Sequence, residues 1–358
     1  MNTNSESDTS ARPHDAVDVF VTVGTDHHAF DRLVEWVDDY VERRTATGQT
    51  VRAVCQVGTS HQARVADSMD YVKAERMAEL FSSAAVVVSH GGPATIMEAR
   101  QAGRRPIVVP RDPERGEHVD GHQQRFAAFL AERDQIDLAT TRDEFERLLD
   151  LALSNREGAA AEIESGEVQA TVERIEAMVA DLLVSGERPG RRRLGRRFRR
   201  DVASSPDTGP RVMVPTSGGG HLAQCWNLMP WLSECQRSWV VFDSVAARSL
   251  LADEDTAWAY QPTTRNVKNL VRNTFLALSL YRRFRPDVII STGAGVAVPF
   301  FWLSRVFGAV TVFVEVYDRI DSATLTGRLV RPVTDLVVVQ WSEQQQLYRD
   351  SVIAGPLL

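Results

Sequence analysis

Residues 211–232 read RVMVPTSGGGHLAQCWNLMPWL. An apolar β-rich run, Val212 to Val214, stops at Pro215, and three glycines, Gly218, Gly219 and Gly220, follow within five residues. A helical pattern then starts at His221 and Leu222. Strand, glycine loop and helix in that order point the unpaired N–H groups and positive dipole end of the helix at whatever lies beyond the strand, and anions are favoured there. The residue that closes the loop is histidine. A Walker-type phosphate loop has lysine and a hydroxyl at that place, and a dinucleotide fingerprint has a further glycine. Neither motif is present here.

The same alternation extends in both directions. Downstream, SWVVFDS, PDVIISTGAG, AVTVFVEV and TDLVVVQW read as strands, with helices at 267–284 and 296–308 between them. Upstream, VDVFVTV, VRAVCQVG, AVVVSHGG and PIVVP read as strands. Helical segments stand at 30–41, 76–84, 93–103, 122–132 and 142–154, and 159–185 reads as a charged helical tail. Strands alternating with helices predict parallel sheets covered on both faces. The expected fold class is α/β with two Rossmann-like domains, and ligands in such sheets bind beyond the carboxyl ends of the strands.

A chain of 358 residues has room for two domains. The expected division is an N-terminus at 1–16 without structure, a first domain at 17–185, a linker at 186–210 and a second domain at 211–358. The linker contains eight arginines among prolines, glycines and serines. The net charge of −7 comes from an acidic first half, since the linker and the second half are both basic. Cys55, Cys225 and Cys235 form no CxxC pair and predict a reduced, cytoplasmic protein. The polar N-terminus lacks the apolar core of a secretory signal. The stretch AGVAVPFFWLSRVFGAVTVFVEV is long enough to raise the question of a membrane span. Pro299, Arg305 and Gly308 interrupt it, and it reads as a buried helix followed by a buried strand.

Two constellations carry chemistry in the first half. Gly91 and Gly92 precede a helix, with Thr95 one turn in and Glu98 a further turn along, where a carboxylate can accept from ribose hydroxyls. On spacing alone, a plain strand-to-helix turn with a surface glutamate is an equal reading. The loop EHVDGHQQ then gathers His118, Asp120, His122, Gln123 and Gln124, a density of donors and acceptors suited to a sugar. His118 and His122 stand at i, i+4, but no HExxH arrangement supports a metal, and none is expected.

In the second half, the loops at Gly218–Gly220 and Gly293–Gly295 follow strands of one sheet. Both are expected along the same sheet edge. His221 would be the titratable residue of its loop, with an unperturbed pKa suited to a general base. Capping or orienting the loop is the alternative role. Glu315, Asp318 and Arg319 follow a third strand and also fit a surface charge cluster.

Taken together, FVTVGT, SHGG with Thr95 and Glu98, EHVDGHQ, SGGGHLAQ, RPDVIISTGAGVAVPF, VEVYDRI and AGPLL resemble the two-component UDP-sugar glycosyltransferases. The first half is similar to their donor-binding subunit and the second half to their acceptor-side subunit. The family includes the dolichol-pathway UDP-GlcNAc transferase and the exopolysaccharide pair PssE and PssD. MurG carries the same two domains in the opposite order. The resemblance implies a GT-B fold and inverting transfer of a sugar from a UDP-sugar to a polyprenyl-diphosphate-linked acceptor, with no cofactor. By motif, Gly24, Thr25, Gly91, Gly92, Thr95, Glu98, His122 and Gln123 fall on the donor side. Gly218, Gly219, Gly220, Gly293, Gly295, Glu315 and Arg319 fall on the acceptor side, and His221 matches the histidine proposed as base.

A lipid-linked acceptor implies peripheral contact with the inner face of the cell membrane. The helix VKNLVRNTFLALSLYRRF places Val267, Leu270, Val271, Phe275, Leu278 and Tyr281 on one apolar face, flanked by Lys268, Arg272, Arg282 and Arg283. It suits an interfacial helix or an ordinary core helix equally. The arginine linker adds attraction to an anionic surface or serves as a solvated tether. No aromatic interleaving or folded basic module points to nucleic acid. Two other functions compete: a dinucleotide-dependent sugar-nucleotide epimerase or reductase, and a non-catalytic scaffold. The first lacks the full glycine fingerprint, and the polar motifs in both halves argue against the second. Arg111, Arg115 and Arg125 near the sugar loop tilt the donor toward glucuronate over N-acetylglucosamine.

Overall fold

The structure, a computed structural model, describes residues 17–155, 166–186, 209–263 and 266–358. The expected unstructured N-terminus at 1–16 and the arginine cluster of the linker lie outside the described residues. The chain divides into two units, Met1–Ile163 and Glu164–Leu358.

The first unit is built on a six-stranded sheet of β1 (Val19–Thr22), β2 (Ala53–Gln56), β3 (Asp67–Met69), β4 (Val86–Ser89), β5 (Ile107–Val108) and β6 (Asp137–Leu138). The spatial order is β3-β2-β1-β4-β5-β6 and every pairing is parallel. β1, β2 and β4 are buried along their whole length, which is why their sequences run apolar without alternation. Helix Asp31–Ala46 buries Leu33, Val34, Val37 and Val41 on one side of this sheet. Helix Ala74–Ser83 packs Leu80 and Phe81 on the other, with Phe81 edge-on to Phe20.

Among its described residues the second unit holds seven strands: β7 (Arg211–Pro215), β8 (Gln236–Phe242), β9 (Thr256–Ala259), β10 (Val288–Ser291), β11 (Val310–Val314), β12 (Leu336–Val339) and β13 (Val352–Ile353). Their order is β13-β12-β11-β10-β7-β8-β9, again all parallel. The stretch with Pro299, Arg305 and Gly308 is helix Ala297–Phe307 followed by β11, as its interruptions predict. Among the described residues, no helix is long and apolar enough to cross a membrane. Cys55, Cys225 and Cys235 are buried free thiols.

Both sheets reverse direction at their first strand. In the first unit the switch lies between β1 and β4, and in the second between β7 and β10. Such a reversal leaves a crevice at the carboxyl ends of the two strands. The loops of Gly24, Gly91–Gly92, Gly218–Gly220 and Gly293–Gly295 follow these four strands.

One boundary differs from the sequence reading. Helix Glu167–Ser185 belongs to the second unit and does not close the first domain. Val172, Ile175, Val179 and Leu182 enter the core formed by Val212, Trp231, Val312 and Leu357. Its apolar stripe therefore covers the second sheet, a partner that its own periodicity does not name.

Candidate functional site

The first-unit site begins at the end of β1. Gly24 stands at φ +79° after Thr22 and Val23, and Gly91 stands at φ +88° after β4, conformations that favour glycine. Between the two loops lies the ring of His90. A Cβ on Gly24 would sit 2.5 Å from the His90 ring, and one on Gly92 would sit 2.4 Å from its Nε2. The glycines are thus needed for the approach of an imidazole as well as for the turn. His90 Nδ1 lies 3.3 Å from the carbonyl oxygen of Thr22, and burial pushes its pKa down to about 3. Gln56 fixes the other side, donating to the Gly24 carbonyl at 3.0 Å and accepting from the Gly24 amide at 3.2 Å. The SHGG motif names His90, yet its buried position was not legible from spacing.

Gly92 is followed by helix Pro93–Gln101, whose first-turn amides have no intrahelical acceptor. Proline at the first position removes one of these donors but presets the helical φ. Thr95 is half-buried in that turn and Thr25 is exposed. Glu98 is exposed one turn farther on, and desolvation by the surrounding protein raises its carboxyl above the usual range. His122 and Gln123 open helix His122–Ala131. Gln123 is 6% exposed, and its Oε1 has no hydrogen-bond partner among the described residues. A buried amide oxygen without a partner is costly unless a ligand or water completes it.

Arg111 takes a different role from the one the sequence suggests. It is fully buried, and its guanidinium donates to the carbonyls of Val23 at 2.7 Å, His28 at 2.7 Å and Glu117 at 2.9 Å. It ties the β1 loop to the sugar loop and is not available to a substrate carboxylate. Arg115 lies 3.3 Å from Asp112, so it too is drawn to a protein carboxylate.

The second-unit site starts at Gly218, Gly219 and Gly220 after β7. Gly219 adopts φ +62° and helix Gly220–Trp226 follows. His221 Nδ1 lies 3.1 Å from the carbonyl oxygen of Thr292, across the switch in the loop after β10. Thr292 returns a bond from Oγ1 to the His221 carbonyl at 3.1 Å. Gly293, at φ +120°, lets the ring approach: a Cβ there would stand 3.3 Å from His221 Cε1. Gly295 has its own neighbour, Thr263, which a Cβ would meet at 2.9 Å. A nitrogen facing a carbonyl must carry the hydrogen, so the neutral ring has its lone pair on Nε2. Burial lowers the pKa of His221, and the nearby Asp318 charge opposes that shift while Arg319 adds to it.

The loop carrying Asp318 and Arg319 is held by buried amides. Gln224 donates to the Gly220 carbonyl at 3.2 Å and accepts from the Tyr317 amide at 3.1 Å and from Gln340 Nε2 at 2.6 Å. Gln340 also donates to the Glu315 carbonyl at 2.8 Å and accepts from Leu357 N at 2.8 Å. Gln344 donates to the carbonyls of Val316 and Arg319 at 2.8 and 3.1 Å. Glu315 itself is fully buried, its carboxylate accepting from Val316 N, Thr324 N, Thr324 Oγ1 and Tyr348 Oη. It braces the loop and presents no oxygen to a ligand. The stretches SGGGHLAQ and TDLVVVQW contain Gln224 and Gln340, but single polar residues among apolar runs give no sign of mutual contact.

With this geometry in view, residues 18–175 match the glycosyltransferase family 28 C-terminal domain, and residues 259–357 match the oligosaccharide biosynthesis protein Alg14 like family. The chain is thus similar to a family 28 domain in its first half and to an Alg14-like domain in its second. The UDP-N-acetylglucosamine transferase subunit ALG14 of Homo sapiens is 24% identical over 44% of this chain and 89% of its own length. That of Eremothecium gossypii is 36% identical over 26% of this chain and 46% of its own length. Acinetobacter baumannii MurG aligns at 20% identity over 41% of this chain and 46% of its own, with a TM-score of 0.34. The family 28 match contains Gly24, the His90 loop, Glu98 and Gln123, and it ends within helix Glu167–Ser185. The Alg14-like match contains the Thr292 loop, the Glu315–Arg319 segment and Gln340. The fold class expected from the sequence, two Rossmann-like α/β domains as in GT-B enzymes, is present.

Proposed function

We propose that the chain is an inverting glycosyltransferase that moves a sugar from a UDP-sugar to a polyprenyl-diphosphate-linked acceptor. The observation that carries this reading is His221, a neutral imidazole whose Nδ1–H is engaged by Thr292 and whose Nε2 keeps its lone pair. The acceptor hydroxyl oxygen attacks the anomeric carbon, its proton passes to Nε2 of His221, and the bond from the anomeric carbon to the UDP oxygen breaks. The amides of the first turn of helix Pro93–Gln101 offset charge on the departing diphosphate, Glu98 accepts from the ribose hydroxyls, and His122 with Gln123 reads the sugar. Gly218 to Gly220 and Gly293 to Gly295 admit the acceptor diphosphate to the backbone, and Arg319 is its nearby cation.

N-acetylglucosamine is the favoured donor sugar. The ALG14 relatives are named for it, and Arg111, which argued for glucuronate, is spent on three carbonyls. The deciding experiment offers radiolabelled UDP-GlcNAc, UDP-GlcA and UDP-Glc with a polyprenyl-diphosphate-linked sugar in liposomes. Transfer from UDP-GlcNAc with inverted anomeric configuration is expected. UDP binding without transfer from any donor would reduce the chain to a binding subunit.

Peripheral membrane contact forms part of the same reading. Helix Val267–Phe284 buries Asn269 and Asn273, which hold the carbonyl of Pro262 and both backbone groups of Tyr260. Tyr281 faces the core as well, so the six apolar residues grouped by periodicity are divided. Val267, Leu270, Val271 and Phe275 are left exposed, and Phe275 is 68% accessible. The adjoining helices Ala297–Phe307 and Leu325–Val330 expose Trp302, Val306, Leu325 and Leu329. Lys268, Arg272 and Arg328 stand among them, which suits an anionic bilayer surface. Phe275→Glu with Trp302→Glu is expected to abolish co-sedimentation with anionic liposomes. Unchanged pelleting of the doubly substituted protein would remove this face from the reading.

A further inference from the structure

Two loops of the first unit bring together a set of imidazoles and carboxylates of which the proposed sugar transfer uses only His122. Asp26 and His28 lie after β1, and His118, Asp120 and His122 lie between β5 and helix His122–Ala131. His28 Nδ1 bonds Asp26 Oδ1 at 2.6 Å. The other oxygen of Asp26 lies 3.5 Å from His118 Nε2. On the far side of that ring, His118 Nδ1 accepts the Asp120 amide at 3.4 Å and lies 4.0 Å from Asp120 Oδ1. Asp120 Oδ1 in turn is bonded by His122 Nδ1. The side chains of His118 and His122 are 10% and 13% exposed, so both rings are largely withdrawn from water.

These contacts fix the state of His118. The nitrogen beside a carboxylate carries the hydrogen, and the nitrogen that accepts a backbone amide carries the lone pair. The lone pair of Nδ1 is therefore turned toward Asp120 and His122. One ligand atom from each of His118, Asp120 and His122 lies within 4.8 Å of the others. Metal-ligating histidines commonly donate their second N–H to a carboxylate, which fixes the ring and raises its basicity. Asp26 supplies that carboxylate, and His28 orients it.

We propose that His118, Asp120 and His122 form a binding site for a divalent transition-metal ion of the zinc class, with Asp26 as the carboxylate that positions His118. Two imidazoles and one carboxylate suit zinc, cobalt or nickel, whereas magnesium and calcium take oxygen ligands. Zinc bonds of about 2.0–2.2 Å set tetrahedral ligand atoms roughly 3.4 Å apart. Ligation through His122 Nδ1 opens its hydrogen bond to Asp120 and releases the proton that nitrogen carries, on a loop that Arg111 anchors through the Glu117 carbonyl. The fourth position is left to water or to a ligand.

The test uses the full chain without an affinity tag, free of nucleotide, so that its outcome is independent of the donor assignment. Cobalt(II) binding is followed by visible absorption and zinc(II) binding by calorimetry. One equivalent of either ion is expected to bind. His118→Gln and Asp120→Asn should each weaken binding at least ~100-fold, because each removes a ligand. Asp26→Asn should weaken it by about 10–100-fold, as loss of a supporting carboxylate does. His27→Ala, at the exposed ring beside Asp26, should change nothing. Circular dichroism and a melting curve establish that each variant is folded. Absence of one-equivalent binding in the parent, or equal affinity in folded His118→Gln, would overturn the site. Loss of binding in His27→Ala would also overturn it, since the ion would then sit on Asp26, His27 and His28.

Discussion

His221 Nδ1 stands 3.1 Å from the carbonyl oxygen of Thr292, so the loop after β10 sets the tautomer of a histidine carried by the loop after β7. The two strands are neighbours at the point where the sheet reverses. One backbone carbonyl thereby decides which face of the ring can take a proton.

His221→Ala is expected to lower kcat by about 10²–10⁴-fold, the usual share of general-base catalysis, with little change in UDP binding. Asparagine at 221 can keep a hydrogen bond to Thr292 but cannot accept the proton. Steady-state kinetics that return near-parental rates for His221→Asn would reassign the residue to loop positioning. The pH profile provides a second reading. A base works only when neutral, and burial lowers the pKa of His221. The acid limb of kcat should therefore fall below the ordinary histidine value of about 6.5.

His90 predicts how stability varies with acid. Its pKa is about 3 in the folded chain, against about 6.5 for a free histidine. The unfolded chain thus binds a proton that the folded chain refuses, and stability falls as pH drops through that window. His90→Gln should flatten the loss in urea titrations between about pH 6.5 and 3. An unchanged slope would mean that His90 is not held neutral.

Glu98→Ala should weaken UDP binding by roughly 1.5–3 kcal/mol, the worth of a hydrogen bond to a charged group. The side chain is exposed, so the melting temperature should stay within a degree or two of the parent. Calorimetry with unchanged UDP affinity would take Glu98 out of the site.

Gln340→Leu removes one amide that serves Gln224, Glu315 and Leu357 together. It leaves buried partners unsatisfied, at about 1–3 kcal/mol each. Both the urea midpoint and kcat should fall, while UDP binding should not. A folded variant with parental kcat would show that the loop of Asp318 and Arg319 keeps its place without this network.

Much of this arrangement was legible in the sequence, because strands buried on both faces leave long apolar runs and the glycines fall where those runs stop. The helix boundaries at 93, 122, 142 and 267 follow from periodicity and from residues such as Thr141, whose side chain caps Glu144. β3, β6, β9 and β13 were not foreseen, since segments of two to four residues carry little or no period. The site was legible as a set of residues and not as contacts. Gly24 and Gly92 read as turn formers, whereas their close neighbour is the ring of His90. Asn269 and Asn273 stand outside the apolar face read for their helix, yet both are buried.

The seating of helix Glu167–Ser185 on the second sheet dictates where the two halves could be made as separate polypeptides. A split after Ser185, the natural choice from composition, would deprive the second half of Val172, Ile175, Val179 and Leu182. It would lay bare the apolar ground around Trp231 and Leu357 and invite aggregation. A split between Asn155 and Gly166 keeps that lid with its sheet, and mixing the two pieces should restore activity only in this second case.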